Sequence, residues 1–535
     1  MSQVESFDAV IVGAGFAGLY QLHSLRQLGL NARILEAGED VGGTWYWNRY
    51  PGARCDVESM SYSYSFSNEL EQQWNWTEKY PTQPEILRYI NHVADRFDLR
   101  KDIAFNTTVT RAVYDENTQR WRVDTATEGS FDAQFVIMAT GCLSVSKAPE
   151  VPGTERFRGP TYHTGHWPHE GVDFSGQRVG VIGTGSSGIQ CIPLIAEDAA
   201  ELTVFQRTPN FSVPAMNRQL TQVEIDEMKV NYRKWRAAQR TSGFGVPVDR
   251  PTQSALEVSE QERNAKYQAG WDRGSLLGVM GAYTDITTDK AANETAAEFI
   301  RVKIRGIVKD PDVAETLTPR TFAFGTKRPC MDTGYYATFN KSHVQLVDLH
   351  QTPLAEITET GVRTSAADYV FDAIVFATGF DAITGALTRI DIRGRGGAGL
   401  ADEWADGPRS YLGIAMAGFP NLFTITGPSS PSVLSNMVVS IEQHVEWITD
   451  CIASLGRRGI TEIEATAEAE QEWIDHVEQV ANGTLYPTAD SWFIGANVPG
   501  KPRIFMAYLG GVDVYREKCD LVAANNYEGF ELRGA

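Results

Sequence analysis

Cysteine is scarce and never clustered. The 535 residues contain six, Cys55, Cys142, Cys191, Cys330, Cys451 and Cys519, with no C-x-x-C among them. That removes the redox-active dithiol on which flavin disulfide reductases depend, and isolated thiols suit a reducing compartment. Also lacking is an apolar run long enough to span a bilayer. The N-terminus, Met-Ser-Gln-Val-Glu-Ser-Phe, has no basic region and passes straight into a strand pattern. Neither a signal nor a transit peptide is expected, and the expected location is cytoplasmic. Basic residues are outnumbered, 48 Lys and Arg against 68 Asp and Glu, giving a formal charge of −20. Nucleic acid and anionic membrane are thereby disfavoured as partners, and basic groups at a phosphate site must be local exceptions.

The length predicts two or three domains rather than one core. Two glycine fingerprints organise them, Gly13-Ala-Gly15-Phe-Ala-Gly18 and Gly183-Thr184-Gly185-Ser186-Ser-Gly188. The first follows the apolar run Phe7–Val12, read as a buried parallel strand, and opens a helix expected over 17–28. In such a unit the first glycine permits the tight turn and the second admits a pyrophosphate to the backbone. The third lets helix and strand pack closely, and the helix N-terminus faces the phosphates. The next strand, 32–35, ends in Glu36, an acid placed to bind both ribose hydroxyls. FAD and NAD share this device, so the fingerprint alone does not choose between them.

The second unit comprises a strand at 179–182, the glycines, a helix to about residue 196 and a strand at 202–205. That strand ends in Gln206-Arg207-Thr208 rather than an acid. A guanidinium there pairs with a 2′-phosphate that an acid would repel, so this unit favours NADPH and the first takes FAD. Strand patterns at 133–138 and 369–376 each end in Ala-Thr-Gly, turns expected where the chain passes between the two units. Between 220 and 319 no cofactor pattern appears, and helical stretches are expected at 223–240, 257–273 and 290–308. The expected fold is α/β: two Rossmann-like dinucleotide-binding domains, for FAD and NADPH, interleaved in sequence, with an inserted helical subdomain. The boundaries are 1–145 and 381–535 for the FAD unit, 146–219 and 325–380 for the NADPH unit, and 220–324 for the insertion. A Gly/Asn/Pro-rich segment with a large aromatic, about 487–504, has the composition of a lid loop.

Just ahead of the second fingerprint stands Phe157-Arg-Gly159-Pro-Thr-Tyr-His163-Thr-Gly-His-Trp167-Pro168. It matches F-x-G-x-x-x-H-x-x-x-W-[PD], and Gly42 to Asp56 matches [AG]-G-x-W-x-x-x-x-[FY]-P-[GM]-x-x-x-D. On these residues the chain resembles the flavin-dependent Baeyer–Villiger monooxygenases over nearly its whole length. Segments 45–66, 429–447 and 491–503 look most like the phenylacetone and steroid members, with the cyclohexanone members more distant.

The resemblance implies oxidation of a small-molecule ketone to an ester or lactone by NADPH and O2, through a peroxide at flavin C4a. It places Thr44, Trp45, Asp56 and Tyr62 at the flavin, gives His163 the role of linker anchor, and puts Trp492 over NADP as a lid. Lys327 is expected to join Arg207 and Thr208 at the NADPH phosphate. Arg328 is the expected catalytic residue: an arginine stays charged in a dry site and offers several donors to an anionic oxygen. Asp56 is expected to orient it and balance its charge. His163, His166 and His169 recur every three residues, but in a Gly/Pro-rich segment without acidic or cysteine ligands, so no metal is expected. A monomer or weak homo-oligomer is expected. The rival readings are a flavin monooxygenase acting on nitrogen or sulfur, a non-oxygenating NADPH oxidase or reductase, and a dinucleotide sensor without turnover.

Overall fold

The computed structural model describes residues 5–127 and 129–534. Its larger sheet has eight strands. Seven run in the order Asp391–Arg393, Val109–Asp115, Arg120–Thr125, Ser130–Met138, Glu5–Val12, Ala32–Leu35 and Ile103–Ala104. The eighth, Leu422–Thr424, lies beside Ser130–Met138. Glu5–Val12 has parallel partners on both sides, which buries Ala9, Val10 and Ile11 completely and explains its unbroken apolar run. Ser130–Met138 divides its other edge. Residues 130–133 pair with the antiparallel hairpin strand Arg120–Thr125, and residues 136–138 pair with Leu422–Thr424.

The smaller sheet is wholly parallel, in the order Val344–Asp348, Glu201–Gln206, Arg178–Ile182, Ala373–Phe376 and Thr161–His163. Its edge strand, Thr161–His163, comes from the Phe157–Pro168 signature itself. The first sheet draws on residues before 139 and after 390, and the second on residues between 160 and 377, so the chain leaves one unit and later returns to it.

The strand expected over 369–376 is two strands. Asp368–Val370 joins a three-stranded antiparallel sheet, and only Ala373–Phe376 enters the parallel one. The break falls at Asp372, whose carboxylate accepts the Arg178 backbone N–H at 2.9 Å and pairs with its guanidinium at 2.8 Å. A side chain engaged in that way turns the chain from one sheet to the other.

Helix limits follow their caps. The stretch expected from 257 begins at Glu260, because Ser259 accepts the Glu262 N–H as N-cap. Gln222–Arg240 starts with a capping box of Thr221 and Glu224. The helices between 220 and 320 build no core of their own. Tyr232 packs into the core of the first unit, whereas Tyr267, Trp271, Ala296, Ile300 and Ile304 join that of the second.

Glycine is required where helix meets strand. A Cβ on Gly18 would lie 1.8 Å from the Gly13 carbonyl oxygen, and one on Gly188 would lie 2.3 Å from that of Gly183. Gly18→Ala should therefore lower stability by about 1–3 kcal/mol, the usual penalty of overpacking. Gly306→Ala is the control: its Cβ meets nothing within 4 Å inside the helix Lys290–Ile307. It should be neutral or stabilising. Thermal denaturation of the two variants measures both effects.

Candidate functional site

The first crevice is built from backbone. Gly13 takes φ +105°, and a Cβ there would lie 2.8 Å from the Ala139 oxygen, so the fingerprint turn lies against the first Ala-Thr-Gly crossing. Gly15 caps the helix Phe16–Gln27. Across its mouth runs Gly43, at φ +52°, whose Cβ would lie 2.9 Å from the Gly15 Cα. Thr44 stands exposed beside it, while Trp45 is buried and donates its indole N–H to the Tyr62 hydroxyl at 3.2 Å. Glu36 is 4% exposed, and its two oxygens accept the N–H groups of Ala14 at 2.6 Å and Gly38 at 2.7 Å. Burial raises its pKa, against the pull of those N–H groups. Glu36 thus braces the fingerprint turn, a role the sequence pattern did not reveal.

The second crevice repeats the plan. Gly183 takes φ +112° with its would-be Cβ 2.4 Å from the Ala377 oxygen, while Gly185 has open space around it at the start of the helix Ser186–Asp198. Thr184 donates to the Thr208 carbonyl at 3.3 Å, and the Ser186 hydroxyl lies 3.2 Å from the buried Cys330 thiol. Arg207 is exposed at the end of its strand. Lys327 lies over the Phe322 ring at 4.8 Å. Burial, and then the neighbouring Arg207 charge, lower the Lys327 pKa. Asp490 acts on Lys327 in the opposite sense, but is itself paired with Arg503 at 3.0 Å. Two adjoining cations are a local exception in a chain of charge −20.

Arg328 lies between the crevices. It donates Nε–H to Asp56 Oδ2 at 2.9 Å, Nη2–H to Asp56 Oδ1 at 2.9 Å, and Nη1–H to the Val433 carbonyl. Of five guanidinium N–H groups, two then remain, one on each terminal nitrogen. The Arg328 and Asp56 side chains keep 24% and 23% of their surface exposed. Burial alone would lower the Arg328 pKa, but the charge and hydrogen bonds of Asp56 outweigh it and the pKa is raised. Val433, a β-branched residue, sits at φ +57°, the left-handed region such residues avoid. Nothing in the sequence announces this acceptor.

The signature Phe157–Pro168 binds the units together. Phe157 packs beside the hydrophobic cluster of Phe205, Phe371 and Phe376, and a Cβ on Gly159 would lie 2.7 Å from the Asp372 oxygen. His163 pairs with Phe376 in the sheet and accepts the Gly165 N–H on Nδ1 at 3.0 Å. Its Nε2 therefore carries the proton, facing the Thr378 hydroxyl at 3.0 Å, and that hydroxyl donates to the Lys147 carbonyl at 3.0 Å. Burial, aided by His166, lowers the His163 pKa and so favours the neutral ring. Trp167 is buried between Tyr162 and Phe174, next to the half-buried Pro168. His166 meets the edge of Trp47 at 6.2 Å and His169 that of Tyr46 at 5.0 Å, so the two signatures touch. Among the described residues no group of His, Cys, Asp or Glu could hold a metal. A groove of about 420 Å³ lined by Arg49, Arg88, Pro168 and His169 lies at this junction, but none of its lining residues belongs to the Arg328 site.

Trp492, expected as a lid residue, is half-buried. It opens a short 3-10 turn, Trp492–Ile494, and its ring lies 4.2 Å from that of Phe493. The reason is the apolar cluster beneath, where Phe493 packs with Cys142, Ile383, Val433, Tyr486 and Met506. The segment is thus in contact with the residue whose carbonyl holds Arg328.

Residues 10–241 match the family model for pyridine nucleotide-disulphide oxidoreductases. The C-x-x-C dithiol of that chemistry is missing from the sequence, and all six cysteines are buried and unpaired. The chain is 43% identical over 524 residues to a Baeyer–Villiger monooxygenase of Pseudooceanicola batsensis, covering 97% of this chain and 95% of the relative. It is also 43% identical over 529 residues to a phenazine N-monooxygenase of Lysobacter antibioticus, covering 98% and 97%. An oxidised steroid monooxygenase bound to NADP, 53% identical, superposes with a TM-score of 0.95 over 99% of this chain and 100% of that one.

Each charge-assisted contact to a phosphate contributes about 1.5–3 kcal/mol. Arg207→Ala and Lys327→Ala should each weaken binding of a 2′-phosphorylated nicotinamide dinucleotide by roughly ten- to a hundredfold. Binding of the unphosphorylated form should be nearly unchanged. Calorimetric titration with both dinucleotides separates a phosphate-reading pair from a general loss of fold.

Proposed function

Because the chain belongs to the Baeyer–Villiger monooxygenase family, we propose that it inserts one atom of O2 beside a ketone carbonyl, giving an ester or lactone, with Arg328 and Asp56 at the reacting centre. The observation that carries this reading is the Asp56-held guanidinium between the two dinucleotide crevices, with two N–H groups uncommitted.

Both cofactors fit the residues present. The Gly13–Gly18 turn, Gly43, Thr44, Trp45, Tyr62 and Glu36 would hold FAD, and Gly183–Gly188, Arg207, Thr208 and Lys327 would hold NADPH. The close approach of Gly43 to the Gly15 Cα leaves no room for a side chain on Gly43, and the open space at Gly185 suits a pyrophosphate. Bound FAD, reduced by NADPH, supplies the activation of O2. Arg328 keeps its charge at any working pH and directs its two free N–H groups at oxygen that becomes anionic, including the former carbonyl oxygen of the ketone. Asp56 fixes the plane of that fork through two parallel bonds. Val433, from a third part of the chain, holds the remaining side. Trp492 and its segment exclude water from this centre.

The likeness to a phenazine N-monooxygenase keeps nitrogen oxidation as the second reading. Six unpaired thiols support a cytoplasmic location, and among the described residues no helix is long and apolar enough to cross a membrane. The deciding experiment is mass spectrometry of products formed in 18O2 with NADPH. Cyclic, aryl-alkyl and steroidal ketones should be offered beside a phenazine and a thioether. A ketone should yield an ester or lactone carrying one 18O atom. Formation of N-oxide alone, or NADPH consumption that ends wholly in hydrogen peroxide, would refute the reading.

A further inference from the structure

The two stretches that carry the chain between its sheets lie side by side. Ser146 and Phe380 form a bridge, Lys147 N–H donates to the Gly379 carbonyl at 2.9 Å, and Asp381 N–H donates to that of Val145 at 2.9 Å. Segment 491–504 is fastened onto this crossing. Its backbone bonds at Ile494, Gly495, Ala496, Val498 and Lys501 all go to residues of the same segment, so they shape it without attaching it. Met506 N–H, donating to the Phe493 carbonyl at 3.0 Å, ties it to the residues that follow, and side chains fasten it to the crossing. Lys501 Nζ lies 2.6 Å from Asp381 Oδ1 and 2.8 Å from the Ala382 carbonyl. Asn497 donates its Nδ2 to the Phe380 carbonyl at 2.7 Å, and Lys147 donates to the Asn497 carbonyl at 2.7 Å.

The local backbone is shaped around the charged pair. Gly495 takes φ +73° with its would-be Cβ 2.8 Å from the Pro502 oxygen, so the segment folds back and brings Lys501 to the crossing. A Cβ on Gly385 would lie 2.6 Å from the Asp381 Cγ, so that position must be bare for the carboxylate to sit where it does. The Lys501 and Asp381 side chains are only 11% and 24% exposed, which shields their attraction from solvent. The ammonium spends two of its three donors on the crossing.

We propose that Lys501 and Asp381 form a latch that ties the Trp492 segment to the crossing between the two dinucleotide units, making Lys501 and Asp381 positioning residues for the lid. The proposal rests on the reading of that segment as the cover of the Arg328 centre. Its consequence is mechanical. Phe380–Ala382 carry the chain from the NADPH unit back to the FAD unit, so movement of one unit against the other pulls on the same atoms that hold the lid. Lid release and rearrangement of the units are then one event rather than two.

The test is hydrogen exchange of the 490–506 peptide in the flavin-loaded protein without NADP+, with flavin content and thermal midpoint measured for every variant. Lys501→Met and the isosteric Asp381→Asn should each speed exchange of that peptide by roughly ten- to a hundredfold, the worth of one charge-assisted contact. The double variant should be no faster than the faster single, because both remove one interaction. Lys501→Arg, which can still reach the carboxylate, should restore most of the protection. Asp381→Asn carries the test if Lys501→Met does not fold. Unchanged exchange in Asp381→Asn, or effects of the two singles that multiply in the double, overturns the latch. Release of NADP+ and hydrogen peroxide formed per NADPH are then measured for the same proteins and for Trp492→Ala. A loosened peptide with parent-like release and coupling in all of them leaves the latch standing and removes the lid reading on which its function rests.

Discussion

A guanidinium and a carboxylate 272 residues apart in sequence meet in two parallel hydrogen bonds, and much of the molecule serves that meeting. Asp56 closes the Gly42–Asp56 signature on the first unit. Arg328 enters as the chain returns to the second, and Val433 arrives after it has gone back to the first. The pair cannot be explained by stability. Taking two charges out of water costs several kcal/mol, and an apolar pair of similar volume is often as stable. What the arrangement provides is orientation: a permanently charged fork with a fixed plane and two unspent donors. The strained φ of Val433 fits the same account, since a left-handed β-branched residue persists only where its surroundings hold it there.

Around that pair the glycines and the linker solve a placement problem. Each fingerprint brings a helix within a carbonyl's reach of its own strand, and each turn lies against an Ala-Thr-Gly crossing, Ala139 in one case and Ala377 in the other. The crossings therefore touch both crevices. The Phe157–Pro168 signature adds its edge strand to the second sheet and presents His166 to Trp47 of the first unit, with His169 just beyond it against Tyr46. Anchoring, packing and a contact between units are combined in twelve residues, which explains the mixture of glycine, proline, histidine and tryptophan there.

The parts legible in the sequence were those governed by local rules. Glycine spacing follows from the close packing of helix on strand, and the positions of Glu36 and Arg207 follow from the strand that each one ends. The long apolar strands were legible for the same reason. The break within 369–376 was not, because it depends on Arg178 meeting Asp372 across the sheet. The packing beneath the Trp492 segment was not, because its neighbours in space, Cys142, Ile383 and Val433, are distant in sequence. The Val433 carbonyl, the Lys501–Asp381 pair and the bracing of Ala14 by Glu36 share that character. Each requires the fold before the partner can be named.

The central claim is that Arg328 stabilises negative charge on oxygen during ketone oxidation, and Arg328→Ala tests it most directly. Ester formed per NADPH, hydrogen peroxide released and flavin content should be measured beside Arg328→Lys. Loss of a comparable oxyanion donor costs about 2.7–4 kcal/mol, or roughly a hundred- to a thousandfold in rate. The account predicts that Arg328→Ala keeps its flavin, loses ester formation by at least that factor and diverts NADPH to peroxide. Arg328→Lys should recover little, because a point charge replaces a fork. Ester formation by Arg328→Ala at near the parental rate would contradict the account.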